Sequence, residues 1–402
     1  MELSEEIITL SRLIKSAFIR IEKTNLSFTE DFDKQKIKEL YAFKKKKKAD
    51  VFLKNFPSKV FNFSNYYDSF ANGVDVDPKK IQVRLEKFDS KQRFKSNLFN
   101  LASLHWSVPV SSGYGRRIRY LVWDDNNNKL IGIIAIGDPV FNLKVRDSYL
   151  NWNHKEREQC LTHCMDAYVL GAIPPYNKLL SGKLLACILK SKEVYEDFFS
   201  KYNGVKGIIE KKKKKSRLLI ITTTSSMGRS SVYNRLKING EIFFRSLGYT
   251  DGWGHYHVSD DLFSKCRTFL RLLNDPYSDR NSYAEGPNFK IRLIRKVLSR
   301  LGLKQNLLNH GIKREVFICE NFSNSAQILK NPKLKENINE LKSVKEITEL
   351  CKDRWIIPRS KRDKSYNDYI KDNFFKVFGN LYSQLNLGFK NGHQDHTAKA
   401  NK

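Results

Sequence analysis

Two apolar runs flanking a purely polar turn constrain this chain more than any other feature. Ile118-Arg119-Tyr120-Leu121-Val122-Trp123 is a run of β-branched and aromatic residues. Asp124-Asp125-Asn126-Asn127-Asn128 breaks it, and Leu130-Ile131-Gly132-Ile133-Ile134-Ala135-Ile136-Gly137 returns. The pattern predicts a β-hairpin. The return run has no polar residue to turn toward water, so it belongs in the middle of a sheet with helices over it. At 402 residues the chain is long enough for two to three domains around such a sheet.

The flanks divide by pattern. Ile7, Ile8, Leu10, Leu13, Ile14, Phe18 and Ile21 recur at helical spacing, and Ser27 with Glu30 is a capping box for a second helix through Leu40. The lysine run 44–48 reads as a loop, Ile81–Leu85 as a strand and Ser90–Leu104 as a helix. After the hairpin, Asn153 or His154 caps a predicted helix over Lys155–Leu170, ended by Gly171 and Pro174-Pro175. A buried helix over Gly182–Ser191, an interior strand over Arg217–Thr223 and a short helix from Ser230 or Ser231 through Leu236 follow. Phe243-Phe244 and Tyr256-His257-Val258 close the core. Lys290–Leu301 is a basic amphipathic helix, and Glu315–Cys319 a further strand. The expected organisation is an N-terminal helical region over 1–95, an α/β core over 96–262 and an α/β extension with a basic helix over 263–402. The expected class is α+β, with a mixed or antiparallel central sheet and flanking helices.

Charge narrows the partners. Lys and Arg number 73 against 43 Asp and Glu, a formal net charge of +30, which attracts polyanions, nucleic acid foremost. The competing reading is that the lysine runs 44–48 and 211–215 are solvated loops. Six irregularly spaced cysteines do not make a disulfide framework, and Cys160 and Cys164 lack the second ligand pair of a zinc site, so no metal is expected. No run approaches a membrane span, and the acidic start Met1-Glu2-Leu3-Ser4-Glu5-Glu6 has no leader-like apolar core, so a cytoplasmic protein is expected.

Several residues could carry chemistry. Arg116, Arg117 and Arg119 border the first core strand with Tyr114, Tyr120 and Trp123 among them. Guanidinium forks bind phosphate and aromatic faces stack on unpaired bases. The polar loop 222–231 contains Arg229 and Ser230 and offers amides and hydroxyls to an anion, although the same residues serve as helix caps. Arg146 with Asp147 is either a buried ion pair or a catalytic one. Trp152, Lys183, Trp253, Arg292 and Arg295 complete the candidate nucleic-acid surface. His255 and His257 alternate on a strand and face one side. Asp138, Asp147 and Asp166 do not sit at spacings that predict a two-metal site, though three acids in a basic domain leave that chemistry open.

The motifs Val108-Pro109-Val110-Ser111-Ser112-Gly113-Tyr114-Gly115-Arg116-Arg117, Ile136-Gly137-Asp138-Pro139-Val140-Phe141 and Val145-Arg146-Asp147 resemble the DruA family of the Druantia anti-phage systems. Pro175-Tyr176-Asn177-Lys178-Leu179-Leu180, Gly228-Arg229-Ser230-Ser231-Val232-Tyr233-Asn234, Arg314-Glu315-Val316-Phe317 and Arg354-Trp355 with Pro358-Arg359 continue the likeness over about residues 90–363. It implies a bacterial defence role beside a helicase-like partner and other system proteins. Beneath it, the element order is similar to that of GNAT-type acetyltransferases. That likeness implies a GNAT-like core, Tyr233 as a general acid and coenzyme A as a possible cofactor, while Asp147 and His255 are catalytic candidates on their own chemistry, the histidine as a base. Against coenzyme A, Asp138-Pro139 stands where those enzymes carry a glycine-rich pyrophosphate loop. The expected function is nucleic-acid binding, DNA before RNA. The alternatives are an acyltransferase-like or other nucleic-acid-modifying enzyme, or a protein scaffold.

Overall fold

The computed structural model describes residues 2–26, 63–106, 110, 115–205, 215–225, 230–255, 258–279 and 289–376. In chain order the elements used below are α1 (Glu2–Leu26), β1 (Val83–Phe88), α2 (Arg93–Ser103), β2 (Arg117–Asp124), β3 (Lys129–Gly137), α3 (Lys144–Tyr149) and α4 (His154–Cys160). Then come β4 (Cys164–Ala172), α5 (Ser181–Ile188), α6 (Lys192–Tyr202), β5 (Ile220–Thr224), β6 (Leu236–Ile238), β7 (Glu241–His255), α7 (Asp260–Leu272), α8 (Phe289–Arg300), β8 (Asn309–Glu320) and α9 (Val344–Cys351).

The predicted hairpin is present. β2 and β3 pair antiparallel from Arg117↔Gly137 to Asp124↔Lys129. Its turn is held by Asp124, whose Oδ1 accepts from the Gln82 and Asn126 amides while Oδ2 accepts from Tyr176. β3 lies between β2 and β4, and after Lys129 every residue in it is buried. The sheet has eight strands in the order β1-β2-β3-β4-β5-β8-β7-β6. The pairings are antiparallel where the register is given, except β4 with β5, which is parallel over Cys164↔Ile220, Met165↔Ile221 and Asp166↔Thr222. A parallel pair needs a long crossover, and α5 and α6 occupy it. Ser191 caps α6 by accepting from the Val194 amide.

Two expectations fail for identifiable reasons. The helix predicted over 155–170 stops at Cys160, and Cys164–Ala172 is β4. The start is as expected, with Asn153 and Glu156 forming a capping box. Beyond it, Met165, Ala167 and Val169 are buried and alternate with half-buried Asp166, Tyr168 and Leu170, a period of two that β3 and β5 satisfy from either side. Gly171 is therefore no helix stop. It lies in the strand, where a Cβ would come within 2.3 Å of the Trp106 indole. The helix predicted from Ser230 to Leu236 is a turn followed by β6. Asn239 and Gly240 both have positive φ, at 49° and 87°. This two-residue hairpin turn joins β6 to β7, and Asn-Gly favours it more than the serines favour a helix start.

The chain forms two compact units: Met1–Ile37 with Asp251–Arg314, and Lys38–Thr250 with Glu315–Lys402. In the first, Ile14 and Phe18 of α1 pack with Cys266, Phe269 and Leu270 of α7 and with Leu293, Ile294, Val297 and Leu298 of α8. In the second, the sheet has a core on each face. Leu121, Trp123, Ile133, Ala135 and Val169 pack with α2, and Leu184, Leu185 and Ile188 of α5 lie in the larger core with Ile347 and Cys351 of α9. The predicted helix over 27–40 lies outside the described residues. Among those described, no helix is long and apolar enough to cross a membrane.

Candidate functional site

A polar row crosses the centre of the sheet. In register, Arg117 of β2 is opposite Gly137 of β3, Gly137 is opposite Asp166 of β4, and Asp166 is opposite Thr222 of β5. Directly paired residues share a face, so Arg117, Asp166 and Thr222 project to one side. β4 carries one extra residue against β3, because Ile136 pairs with Ala167 and Ala135 with Val169. The extra residue is Tyr168. Its ring lies on the same side, filling the space above Gly137, where a Cβ would stand 3.0 Å from it. A bulge of this kind re-aims one side chain and bends the strand locally. Arg119 lies two residues beyond Arg117 on the same face, and the positive charges of both arginines act on the Tyr168 hydroxyl. Arg117 is exposed, and Arg119, Tyr168 and Asp166 are half-buried.

Asp166 stands apart from the other interior carboxylates. Asp147 accepts from the Leu143 amide, Arg146 and Arg157. Asp124 accepts from two amides and a tyrosine. Glu315 accepts from the Ser230 amide and the Ser246 hydroxyl. Among the described residues, Asp166 receives one hydrogen bond, from Thr222 Oγ1 to Oδ1 at 2.8 Å. An ionised carboxylate has about four acceptor positions, so Oδ2 and part of Oδ1 remain available. Burial pushes the Asp166 carboxyl up to about 6, against the downward effect of the Thr222 hydroxyl and the positive charge of Arg146. It can gain or lose a proton close to neutral pH.

Five of the residues expected to bind nucleic acid, Arg116, Arg146, Trp152, Lys183 and Ser230, make contacts within the fold. The Arg116 guanidinium donates to Asp138 Oδ1 at 2.7 Å and to the carbonyls of Thr162, Leu161 and Cys164, and lies over the rings of Phe198 and Tyr202. Arg146 is fully buried, donating to Asp147 and to the Val140 and Phe141 carbonyls against the face of Trp152, itself buried. Lys183 donates to the Val232 and Asn234 carbonyls. Ser230 gives its amide to Glu315. Tyr120 and Trp123 are core residues, not stacking faces. Tyr233 packs between Phe244 and Phe317, bonds Thr223, and is pushed up to about 12 by burial. Asp147 belongs to the Arg146 network, accepting from Arg146, Arg157 and the Leu143 amide. Trp253 and His255 lie on β7, with their side chains outside the described residues, as are Tyr114, Arg229 and His257 entirely.

The cysteine region is equally structural. Burial pushes the Cys160 and Cys164 thiols up to about 11 and about 12, and His163 Nδ1 accepts the Arg217 amide. Among the described residues no group of three metal-ligating side chains comes together.

Arg292 and Arg295 do lie at the surface. Helix α8 buries Leu293, Ile294, Val297 and Leu298, which turns Arg292, Arg295 and Arg300 outward with Lys290 beside them. It contains no acidic residue. Arg300 is anchored by Asp275 of the same unit at 3.0 Å.

Asp166, Thr222 and Tyr168 were not singled out together from the sequence. A carboxylate inside an otherwise strand-compatible run was the one available signal, and the helix assigned there concealed it.

Comparison with known proteins agrees with the motifs. The family model described as Druantia protein DruA matches residues 31–331. The Druantia protein DruA of Escherichia coli (strain UMEA 4076-1) is 50% identical over 311 residues, 77% of this chain and 77% of that protein. No solved structure matches.

Proposed function

The chain belongs to the Druantia protein DruA family, and as a DruA component of that anti-phage system we propose that it binds nucleic acid, DNA before RNA. One observation carries the reading. The exposed face of α8 presents Arg292 and Arg295, and the helix contains no carboxylate. Guanidiniums on a helix surface pair with backbone phosphates and release condensed counterions on binding. Other Druantia proteins, a helicase-like one among them, are the expected partners.

The test is binding of the full-length protein to labelled duplex and single-stranded oligonucleotides across a salt series. Arg292→Ala with Arg295→Ala should weaken binding to every sequence and reduce the slope of log affinity against log salt by about 1.5–2 units. An unchanged slope would remove α8 from the interface.

A second reading, an enzyme that modifies nucleic acid, is favoured by the Asp166 carboxyl, which burial pushes up to about 6. The order of hairpin, further strand, helix and strand is in keeping with a GNAT-like core. Coenzyme A is poorly supported. The residue after the central hairpin strand is Asp138, paired with Arg116, and the late helix that would carry a tyrosine acid is a turn. A rise in thermal stability with coenzyme A would restore that cofactor.

A further inference from the structure

We propose that the row Arg117–Asp166–Thr222, with Tyr168 beside it, is a recognition site for a guanine base, and that the Asp166 carboxylate is the group that reads it. The strand form of this ligand rests on the nucleic-acid reading above.

The ligand follows from what the site leaves unmet. Asp166 is an interior carboxylate with one hydrogen bond among the described residues, while part of its surface stays open. Burying such a group is unfavourable unless donors arrive to meet it. The donors must come as a pair, because a carboxylate is best satisfied by two parallel N–H groups. Among the common bases, guanine alone offers two adjacent donors, N1–H and the N2 amino group, on one edge. Thymine offers one N–H between two carbonyls, which the carboxylate would repel.

The neighbours fit the rest of a nucleotide. The Tyr168 ring stands in the space above Gly137, in the row between Arg117 and Asp166. An aromatic face beside the reading group is where an unpaired base stacks. Arg117 and Arg119 stand on the same face, at the side where a phosphate would sit. Thr222 holds Oδ1 from β5 at 2.8 Å, which fixes the carboxylate plane. The ligand is therefore an unpaired guanosine, either within a strand or as a free nucleotide.

The experiment measures binding of the full-length protein to a short thymidine oligonucleotide, the same strand with one central guanosine, and the same strand with inosine there, which lacks the N2 amino group. GMP and IMP are the free-nucleotide arm. The expected order is guanosine over inosine over thymidine, with guanosine preferred about tenfold. Asp166→Asn should erase the preference, weakening the guanosine strand and relieving the repulsion of the thymidine strand until the two bind alike. It removes a poorly solvated charge without removing volume, so the fold should persist, and its melting curve checks this. Tyr168→Leu should weaken all strands alike, since stacking is sequence-tolerant. Equal binding of the three strands, or a preference that survives in Asp166→Asn, overturns the proposal. If no strand binds, the nucleic-acid reading fails and GMP decides: a GMP-over-IMP preference lost in Asp166→Asn upholds the site, and its absence overturns it.

Discussion

Arg146 separates a structural arginine from a ligand-binding one. Its side chain has no exposed surface. Nε donates to Asp147 Oδ1 at 2.8 Å, and the two terminal nitrogens donate to the Val140 and Phe141 carbonyls at 2.9 Å each. Its guanidinium lies 5.6 Å from the Trp152 ring. Arg146→Ala leaves both carbonyls without their donor and uncovers the indole. Breaking a buried ion pair from one side costs about 3–5 kcal/mol. Arg157, 3.1 Å from Asp147 Oδ2, prevents the carboxylate from being stranded and keeps the loss toward the lower end. With an unfolding entropy of about 2.1 cal/mol/K per residue over the roughly 300 residues of this unit, that corresponds to a fall in Tm of about 5–8 °C. Arg146→Lys should recover only part of it, because one ammonium cannot address a carboxylate and two carbonyls in a plane. The assay is a thermal melt followed by circular dichroism, alongside oligonucleotide binding. An alanine variant that melts with the wild type but binds nucleic acid more weakly would refute the reasoning and return Arg146 to the interface.

Two further outcomes follow from interior groups. The Asp166 carboxyl titrates near pH 6 in the fold and near pH 4 when unfolded. The folded state thus holds the extra proton between those values, and this group's contribution to stability falls as pH rises through the window. Asp166→Asn should match the wild type near pH 4 and exceed it by about 2–3 kcal/mol above pH 7, read as the difference between two denaturation series; parallel series would mean that the carboxyl is not desolvated. Tyr233→Phe removes one buried hydroxyl bonded to Thr223 and should lower stability by about 1 kcal/mol with oligonucleotide affinity unchanged. Loss of phage protection by that variant at unchanged stability and binding would restore Tyr233 as a chemical group.

What the sequence discloses here is period, and what it conceals is partnership. β2 and β3 were legible because their pattern and turn chemistry agree. β4 was not, because Asn153 and Glu156 do start a helix and nothing local marks its end at Cys160 before a strand begins. Ser230 and Ser231 read as caps, yet Asn239-Gly240 decides the segment from downstream. The arginines make the point most sharply. Arg116 and Arg117 are adjacent, and in a count of charge they are one feature. The Arg116 guanidinium is engaged by Asp138 and three backbone carbonyls and is half-buried, while the Arg117 side chain, starting β2, is exposed. A net charge of +30 is therefore not a binding surface until each guanidinium has been assigned its partners. The same holds in reverse for Asp166. It is one acid among many in the sequence, and only the register of four strands sets it in a row with Arg117 and Thr222, where it receives one hydrogen bond among the described residues. A carboxylate in that position either lowers stability or binds something, and the pH series and the guanosine strands distinguish the two.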